Sequence, residues 1–165
     1  AQMAEQVRTA FDRVFFDEKA QSCGPNGDNI FALCMGLGAE HQPQLINTVR
    51  KEIAEGTKGH VNVGFIGAKY FFETLARHGM NDLAYEAMNK TDFPSYGHWI
   101  AQGATTTWEQ WDGGNSRNHP MMGSGLTWFS RNLAGVQYDE HQPAYRHIII
   151  RPQVPAQMEI GRAHV

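Results

Sequence analysis

Apolar residues recur at helical spacing along most of the chain. Near the start, Val7, Phe11 and Val14 fall at i, i+4 and i+7, a spacing that a 3.6-residue period places on one side of a helix running to about Asp17. Helical spacing returns in five further segments, 30–37, 43–55, 68–78, 82–90 and 121–134. Glycine or proline bounds most of these segments, so the pattern predicts sequential helices joined by short loops, as in helical hairpins.

The last of these segments also predicts which side faces the core. Leu126, Phe129 and Leu133 are its regularly spaced apolar residues. On one uninterrupted α-helix they would lie on the same side. We therefore expect these three side chains to point inward.

Two segments break the helical period and are predicted as strands. In 104–112, three consecutive threonines and two tryptophans are β-branched or aromatic, and glycines lie at both ends. Alternation along this strand would place Glu109 and Trp111 on one face and Trp108 on the other. The second segment, 146–153, has the sequence RHIIIRPQ and is interrupted by proline.

The surroundings of Glu109 are suited to binding a sugar. Three of the four tryptophans lie between residues 97 and 119. An indole packs against the CH face of a sugar, while carboxylates and amides bind its hydroxyl groups. A carboxyl shielded by aromatic rings also suits acid/base chemistry, and glycoside hydrolysis needs two such groups across the scissile bond. The alternative, in which Glu109 serves only its own loop and the tryptophans are ordinary core, stays open on these residue types alone.

Composition and charge argue against several other functions. Fourteen basic and seventeen acidic residues give a net charge of −3, without a basic stripe for nucleic acid or a polybasic patch for a membrane. No apolar run approaches the length of a membrane span. The eight histidines and two cysteines lack the spacing of a metal site or a disulfide scaffold, and no nucleotide-binding or serine-hydrolase motif is present. We therefore expect no metal and no cofactor, and a glycoside as the partner.

Several ordered motifs resemble a known family. GATTTWEQWDG is followed by RNHPMMGSG and YRHIIIRPQ, and is preceded by HVNVGFIGAKYFFETLARHGMNDLAYEAM and DFPSYGHW. Together they resemble the carboxy-terminal half of the catalytic domain of bacterial α-L-rhamnosidases over nearly all of residues 1–154. The resemblance implies a mainly α fold, a partial (α/α)6 toroid of the six-hairpin glycosidase type, with short β segments near 104–112 and 146–153. It also implies hydrolysis of terminal α-L-rhamnosyl residues with inversion, on rhamnose-containing glycosides or polysaccharides.

The resemblance implies roles for individual residues. The glutamate of the family's TTxWExW segment is the general base, a role that carries over to Glu109. The histidine of the asparagine-histidine pair lies at the sugar site, which carries over to His119 with Asn118 beside it. For the remaining candidates, we expect Trp111 to stack on the sugar and Asp112 to bind a sugar hydroxyl or support the loop. The family's general acid lies before the matched region, so we expect the chain alone to be inactive.

The resemblance also divides the chain. Residues 1–145 are predicted to be a fragment of the catalytic domain, whose remainder is an expected partner, and 146–158 to begin a C-terminal β-domain. The last stretch, 159–165, resembles the translation of a sequencing-adapter read-through and is left out of the fold prediction. Two alternatives stay open: another inverting (α/α)6 glycosidase of different sugar specificity, and a non-catalytic carbohydrate-binding or helical interaction module.

Overall fold

The computed structural model describes residues 2–25 and 27–158, which form a mainly helical structure, so the segment 159–165 lies outside the described residues. The described residues include seven α-helices: α1 (Gln2–Phe15), α2 (Asp28–Met35), α3 (Gln42–Lys51), α4 (Gly64–Arg77), α5 (Asn81–Asn89), α6 (Tyr96–Ala101) and α7 (Ser124–Trp128). Short 3-10 turns, Ala39–His41 and Pro120–Gly123, precede α3 and α7, and single π-helical turns, Glu52–Gly56 and Phe129–Leu133, follow them. Two strands, β1 (Val136–Tyr138) and β2 (Ile148–Ile150), pair in antiparallel fashion.

Helix α4 lies at the centre of the core. Phe71, Phe72 and Leu75 on its inner face are fully buried, and the helix contacts α2, α5 and α7. Each such side chain contributes about 1.5–3 kcal/mol of stabilisation through its burial. Gly79, with φ of 68°, ends the turn after α4, and α5 begins two residues later. The α4–α5 hairpin predicted from the sequence is therefore present.

The helical segment after residue 119 buries a different side from the one predicted. Leu126 is 73% exposed and Phe129 is 43% exposed, so the prediction that they point inward is wrong. Of the three predicted residues, Leu133 alone packs against the core, where it is partly buried. The buried side chains of the segment are those of Met122, Trp128 and Asn132. The physical reason is that a 3-10 turn, an α-helical turn and a π turn follow one another here, and their different residues per turn break the 3.6-residue register.

The strand predicted at 104–112 is also wrong, since this segment is an irregular loop. Two backbone hydrogen bonds join this segment to residues 116–119. The N–H of Glu109 donates to the carbonyl of Ser116 at 2.8 Å, and the N–H of His119 donates to the carbonyl of Thr107 at 2.8 Å. The hydroxyl of Thr106 donates to the carbonyl of Arg117. With bonds at separated positions, no regular ladder forms, although the residue types favour one.

The second predicted strand, within 146–153, is confirmed with shorter bounds. Ile150 pairs with Val136 at one end and Ile148 pairs with Tyr138 at the other, so a strand that the sequence pattern does not predict provides the partner. Gly135 precedes that partner strand with φ of 70°, and a Cβ there would overlap the backbone of Arg151. Glycine is therefore needed at position 135, where the chain before β1 passes close to the backbone after β2.

Candidate active site

Glu109 lies in a loop whose two arms, 106–109 and 116–119, run side by side. The hydroxyl of Thr107 donates to the carbonyl oxygen of His119 at 2.8 Å, and the backbone N–H of His119 donates back to the carbonyl of Thr107. The backbone bond from Glu109 to Ser116 joins the same arms nearer the tip. These bonds place the predicted base and the predicted sugar-site histidine on adjacent arms of one loop.

The carboxylate of Glu109 is half-buried and lightly bonded. One oxygen accepts from the side-chain amide of Asn115 and the other from the backbone N–H of Ser116, both at 3.3 Å. It forms no ion pair with a basic side chain in residues 2–25 or 27–158. Two long hydrogen bonds orient the carboxylate but leave acceptor capacity for a water or a hydroxyl group.

An aromatic cluster supports the loop from beneath. Trp99 of α6 is 2% exposed, and its ring centroid lies 5.7 Å from that of Trp108 and 4.3 Å from that of Trp111. Its indole N–H donates to the backbone carbonyl of Trp111 at 2.9 Å. Ser95 starts α6 by accepting the backbone N–H of His98 at 3.0 Å, a normal N-cap bond. Helix α6 therefore fixes both tryptophans that flank Glu109.

The two flanking tryptophans differ in burial. Trp108 is 7% exposed, so its ring packs inward. Trp111 is half-buried and also meets Tyr96 edge to face at 5.3 Å. The hydroxyl of Tyr96 donates to the carbonyl of Met122 at 2.6 Å, and burial raises its pKa well above the usual range. Sugar stacking by Trp111 stays a prediction, now restricted to the part of the ring that this cluster leaves open.

The tip of the loop closes over Trp108. The guanidinium of Arg117 lies 4.6 Å from the Trp108 ring and its Nε donates to the carbonyl of Gly113 at 3.2 Å. Gly113 has φ of 84°, and a Cβ there would lie 2.9 Å from the indole. The tip thus depends on a residue without a side chain at this position.

The remaining predicted site residues lie in the same loop with different surroundings. Asp112 is exposed and accepts the backbone N–H of Gly114 at 3.0 Å, so in this structure it shapes its own turn. Asn118 is exposed, and its N–H donates to the hydroxyl of Ser116 at 3.2 Å. His119 is half-buried, and its Nδ1 is buried without a hydrogen-bond partner among the described residues.

Phe65 is a neighbour of the site that the sequence pattern does not single out. It lies at the start of α4, its ring centroid is 4.9 Å from that of His119, and it is 38% exposed. The glycine-rich loop before α4 is the kind of segment that often carries binding residues. Its polar candidates are His60 and Asn62, so the sequence does not point to Phe65. His60 instead bonds within the protein, to the carbonyl of Pro94 at 2.9 Å and to Asp92 at 3.3 Å.

The part of the chain that the structure describes contains no cluster of three or more histidine, cysteine or acidic residues able to hold a metal ion. Within the same ranges, no helix is long and apolar enough to cross a membrane. Cys23 and Cys34 are free and partly buried, and burial raises the pKa of the Cys23 thiol.

Comparison with known proteins identifies the fold. An α-L-rhamnosidase of Formosa agariphila is 29% identical over 93% of this chain and 17% of its own length. The structure of the α-L-rhamnosidase from Dictyoglumus thermophilum superposes with a TM-score of 0.82 at 31% identity, over 92% of this chain and 18% of that one. The Streptomyces avermitilis α-L-rhamnosidase, crystallised in complex with L-rhamnose, gives a TM-score of 0.83 at 27% identity, over 94% of this chain and 16% of that one. The chain therefore spans less than a fifth of the length of these relatives.

These likenesses confirm the predicted mainly helical, six-hairpin glycosidase fold. Residues 1–133 match the family described as the bacterial alpha-L-rhamnosidase 6 hairpin glycosidase domain. This match covers well over half of the chain, including the loop that carries Glu109 and His119. The chain belongs to the bacterial α-L-rhamnosidase six-hairpin glycosidase family.

Proposed function

We propose that this chain is part of an inverting α-L-rhamnosidase in which Glu109 is the general base. The observation that carries the proposal is the state of its carboxylate, which is half-buried, held by two 3.3 Å hydrogen bonds and unpaired with any basic side chain of the described residues. A general base needs an ionised carboxylate with a free lone pair at a fixed position. Relatives across most of this chain are α-L-rhamnosidases, which supports α-L-rhamnosides as the proposed substrate class.

The proposed reaction is a single displacement. Glu109 takes a proton from a water molecule as its oxygen attacks the anomeric carbon, and the bond from that carbon to the glycosidic oxygen breaks. A second carboxyl protonates the departing oxygen from the opposite side. In inverting glycosidases the two carboxyls are about 6.5–9.5 Å apart, which leaves room for the water.

The other loop residues are proposed to hold the sugar. His119 and Asn118 offer polar groups on the arm that runs beside the one carrying Glu109, and Asp112 at the loop tip can accept a sugar hydroxyl. Trp111 offers the open part of its ring to the CH face of the sugar. The ring of Phe65 beside His119 adds an apolar surface at the same place.

We propose that the general acid and the rest of the toroid come from residues outside this chain. Apolar side chains on α1 support this, because Met3 is 77% exposed, Val7 59% and Val14 64%. Leu126 adds another such side chain at 73%. Apolar surface left in water costs about 25 cal/mol per Å² relative to burial, so these faces favour contact with further helices of the same domain. In this proposal residues 1–145 belong to the catalytic domain and 146–158 begin a β-domain.

The test uses the full-length protein that contains this chain. An aryl α-L-rhamnoside should release rhamnose, and proton NMR should detect the β-anomer first. Aryl α-D-mannoside and aryl β-D-glucoside should give little turnover, and residues 1–165 alone should give none. First release of the α-anomer would contradict inversion. Preference for another glycoside would favour a glycosidase of different specificity, and binding without hydrolysis would favour a non-catalytic module.

A further inference from the structure

A polar cleft lies at the far end of α4 from the candidate active site. It is formed by α4, the π turn at Phe129–Leu133 and the β1–β2 hairpin, and it has a volume of about 380 Å³. Phe65, which contacts His119, and Arg77, which lines the cleft, lie near opposite ends of this helix. At 1.5 Å per residue they are about 18 Å apart along the helix axis. The cleft is therefore separate from the loop that carries Glu109.

Three arginines from different elements line the cleft. One oxygen of Glu73 lies 3.3 Å from the guanidinium of Arg77 and 4.0 Å from that of Arg131, so a single carboxylate orients two cations. The exposed side chain of Arg151, which follows β2, makes no ion pair with the other described residues. With Glu140 also lining the cleft, three cations face two carboxylates, and the formal balance is positive. An unpaired guanidinium in such a cleft suits a ligand carboxylate, which it can bind through two parallel hydrogen bonds.

Two further groups favour a sugar over a simple anion. Asn132 is 7% exposed, and its Oδ1 is buried without a hydrogen-bond partner among the described residues. This oxygen can only accept, so a ligand hydroxyl would satisfy it. The ring of Tyr138 is 40% exposed and lies 5.8 Å from the guanidinium of Arg131, which places an aromatic face beside the cations.

We propose that this cleft binds a saccharide that carries a carboxylate, a uronic acid unit. Arg151 binds the sugar carboxylate, Asn132 Oδ1 accepts a sugar hydroxyl, and Tyr138 packs against the CH surface. A simple anion such as sulfate fits less well, because it offers no hydroxyl to Asn132 and no CH surface to Tyr138. A neutral sugar leaves Arg151 unpaired. The inference goes beyond the proposed hydrolysis and does not depend on Glu109.

The test is a calorimetric titration of the full-length protein that contains this chain with D-glucuronate, with D-glucose as the matched sugar in which a hydroxymethyl group replaces the carboxylate. We expect glucuronate to bind at least tenfold more tightly than glucose, and Arg151→Gln to remove at least tenfold of that affinity. Arg8→Gln, the same charge change on α1, should have no effect. Glu109→Gln should also leave glucuronate binding unchanged, which separates this inference from the proposed function.

Two further measurements on the unaltered full-length protein keep the test independent of how the variants fold. Raising the salt concentration should weaken glucuronate binding and leave glucose binding unchanged, because the difference between them is electrostatic. Inorganic sulfate should compete poorly, since it lacks hydroxyl groups and a CH face. Equal affinity for glucose and glucuronate, an Arg151→Gln variant that binds normally, or sulfate competing as well as glucuronate would each overturn the proposal.

Discussion

The indole N–H of Trp99 donates to the backbone carbonyl of Trp111 at 2.9 Å, and the two rings lie 4.3 Å apart between centroids. This contact ties a short helix to the loop two residues after the proposed base. The position of Glu109 therefore depends on packing beneath the loop as well as on the hydrogen bonds between its two arms. Substitutions in this aromatic cluster should therefore move the site as well as the stability of the fold.

The two tryptophans that flank Glu109 should respond differently to truncation. Trp108→Ala should lower the free energy of unfolding by about 3–5 kcal/mol, because a buried ring is replaced by a cavity. Trp111→Ala should cost less, since the ring is half-buried and the carbonyl that accepts from Trp99 belongs to the backbone. It should instead weaken rhamnose binding in the full-length protein. Denaturant unfolding and a binding titration check this pair, and equal losses of stability would make Trp111 a structural residue.

The loop tip should be sensitive to a single added methyl group. Gly113→Ala places a Cβ 2.9 Å from the Trp108 ring at φ of 84°, so both sterics and backbone strain oppose it. We expect a loss of about 2 kcal/mol or more in unfolding free energy, with the strain alone contributing about 1–2 kcal/mol. Gly56→Ala is the matched control, because that glycine lies in a helical turn with nothing within 4 Å of the added Cβ. The control should leave the unfolding free energy unchanged or raise it slightly. An unchanged unfolding free energy in Gly113→Ala would show that the loop tip relaxes to accept the added methyl group.

Glu52 gives the fold a defined dependence on pH. Burial is the main cause that raises the pKa of this carboxyl, aided by nearby Asp28 and opposed by the hydrogen bond from Asn29, which is 2.9 Å long. Because the folded state holds the proton more tightly than the unfolded chain, stability is highest below the ordinary carboxyl pKa. It falls as the pH rises from that value through the raised folded value.

Glu52→Gln should remove this dependence while keeping an acceptor for Asn29. The variant should be more stable than the unaltered chain near neutral pH, and the difference should shrink as the pH falls below the ordinary carboxyl pKa. Unfolding curves across this range measure the difference directly. A stability difference that grows on acidification would mean that folding lowers the pKa of Glu52 instead of raising it.

Sequence patterns predict this fold well where one helix type continues for several turns. Phe71, Phe72 and Leu75 are spaced for one face of α4, and that face is the core. The same rule misplaces Leu126 and Phe129, because helix types change within that segment and the register changes with them. Local spacing holds no information about where a 3-10 or a π turn will be chosen by tertiary packing.

The site shows the same limit. The motif around Glu109 and His119 identifies one loop, and the structure pairs the two arms that carry these residues. The strand prediction fails there because β-branched and aromatic residues form a strand only when a neighbouring edge supplies a regular ladder. Phe65 reaches the loop from the start of α4, more than fifty residues before His119 in the sequence, a relation that a linear pattern does not contain. Trp99 lies closer in sequence, on the helix just before the loop, but its contacts with Trp108 and Trp111 are not part of the pattern either. For Trp99 a signal did exist, since Ser95 is a good N-cap residue before a short run of aromatic residues.

The most direct test of the central claim is the turnover of Glu109→Gln in the full-length protein on an aryl α-L-rhamnoside. The amide keeps the shape and the hydrogen-bond acceptor of the carboxylate but cannot take a proton from water, so kcat should fall by about 10²–10⁴-fold. Rhamnose affinity should stay close to that of the unaltered enzyme, and Glu55→Gln, the same change at an exposed helical position, should leave both values unchanged. An unchanged kcat in Glu109→Gln would remove this residue from the mechanism.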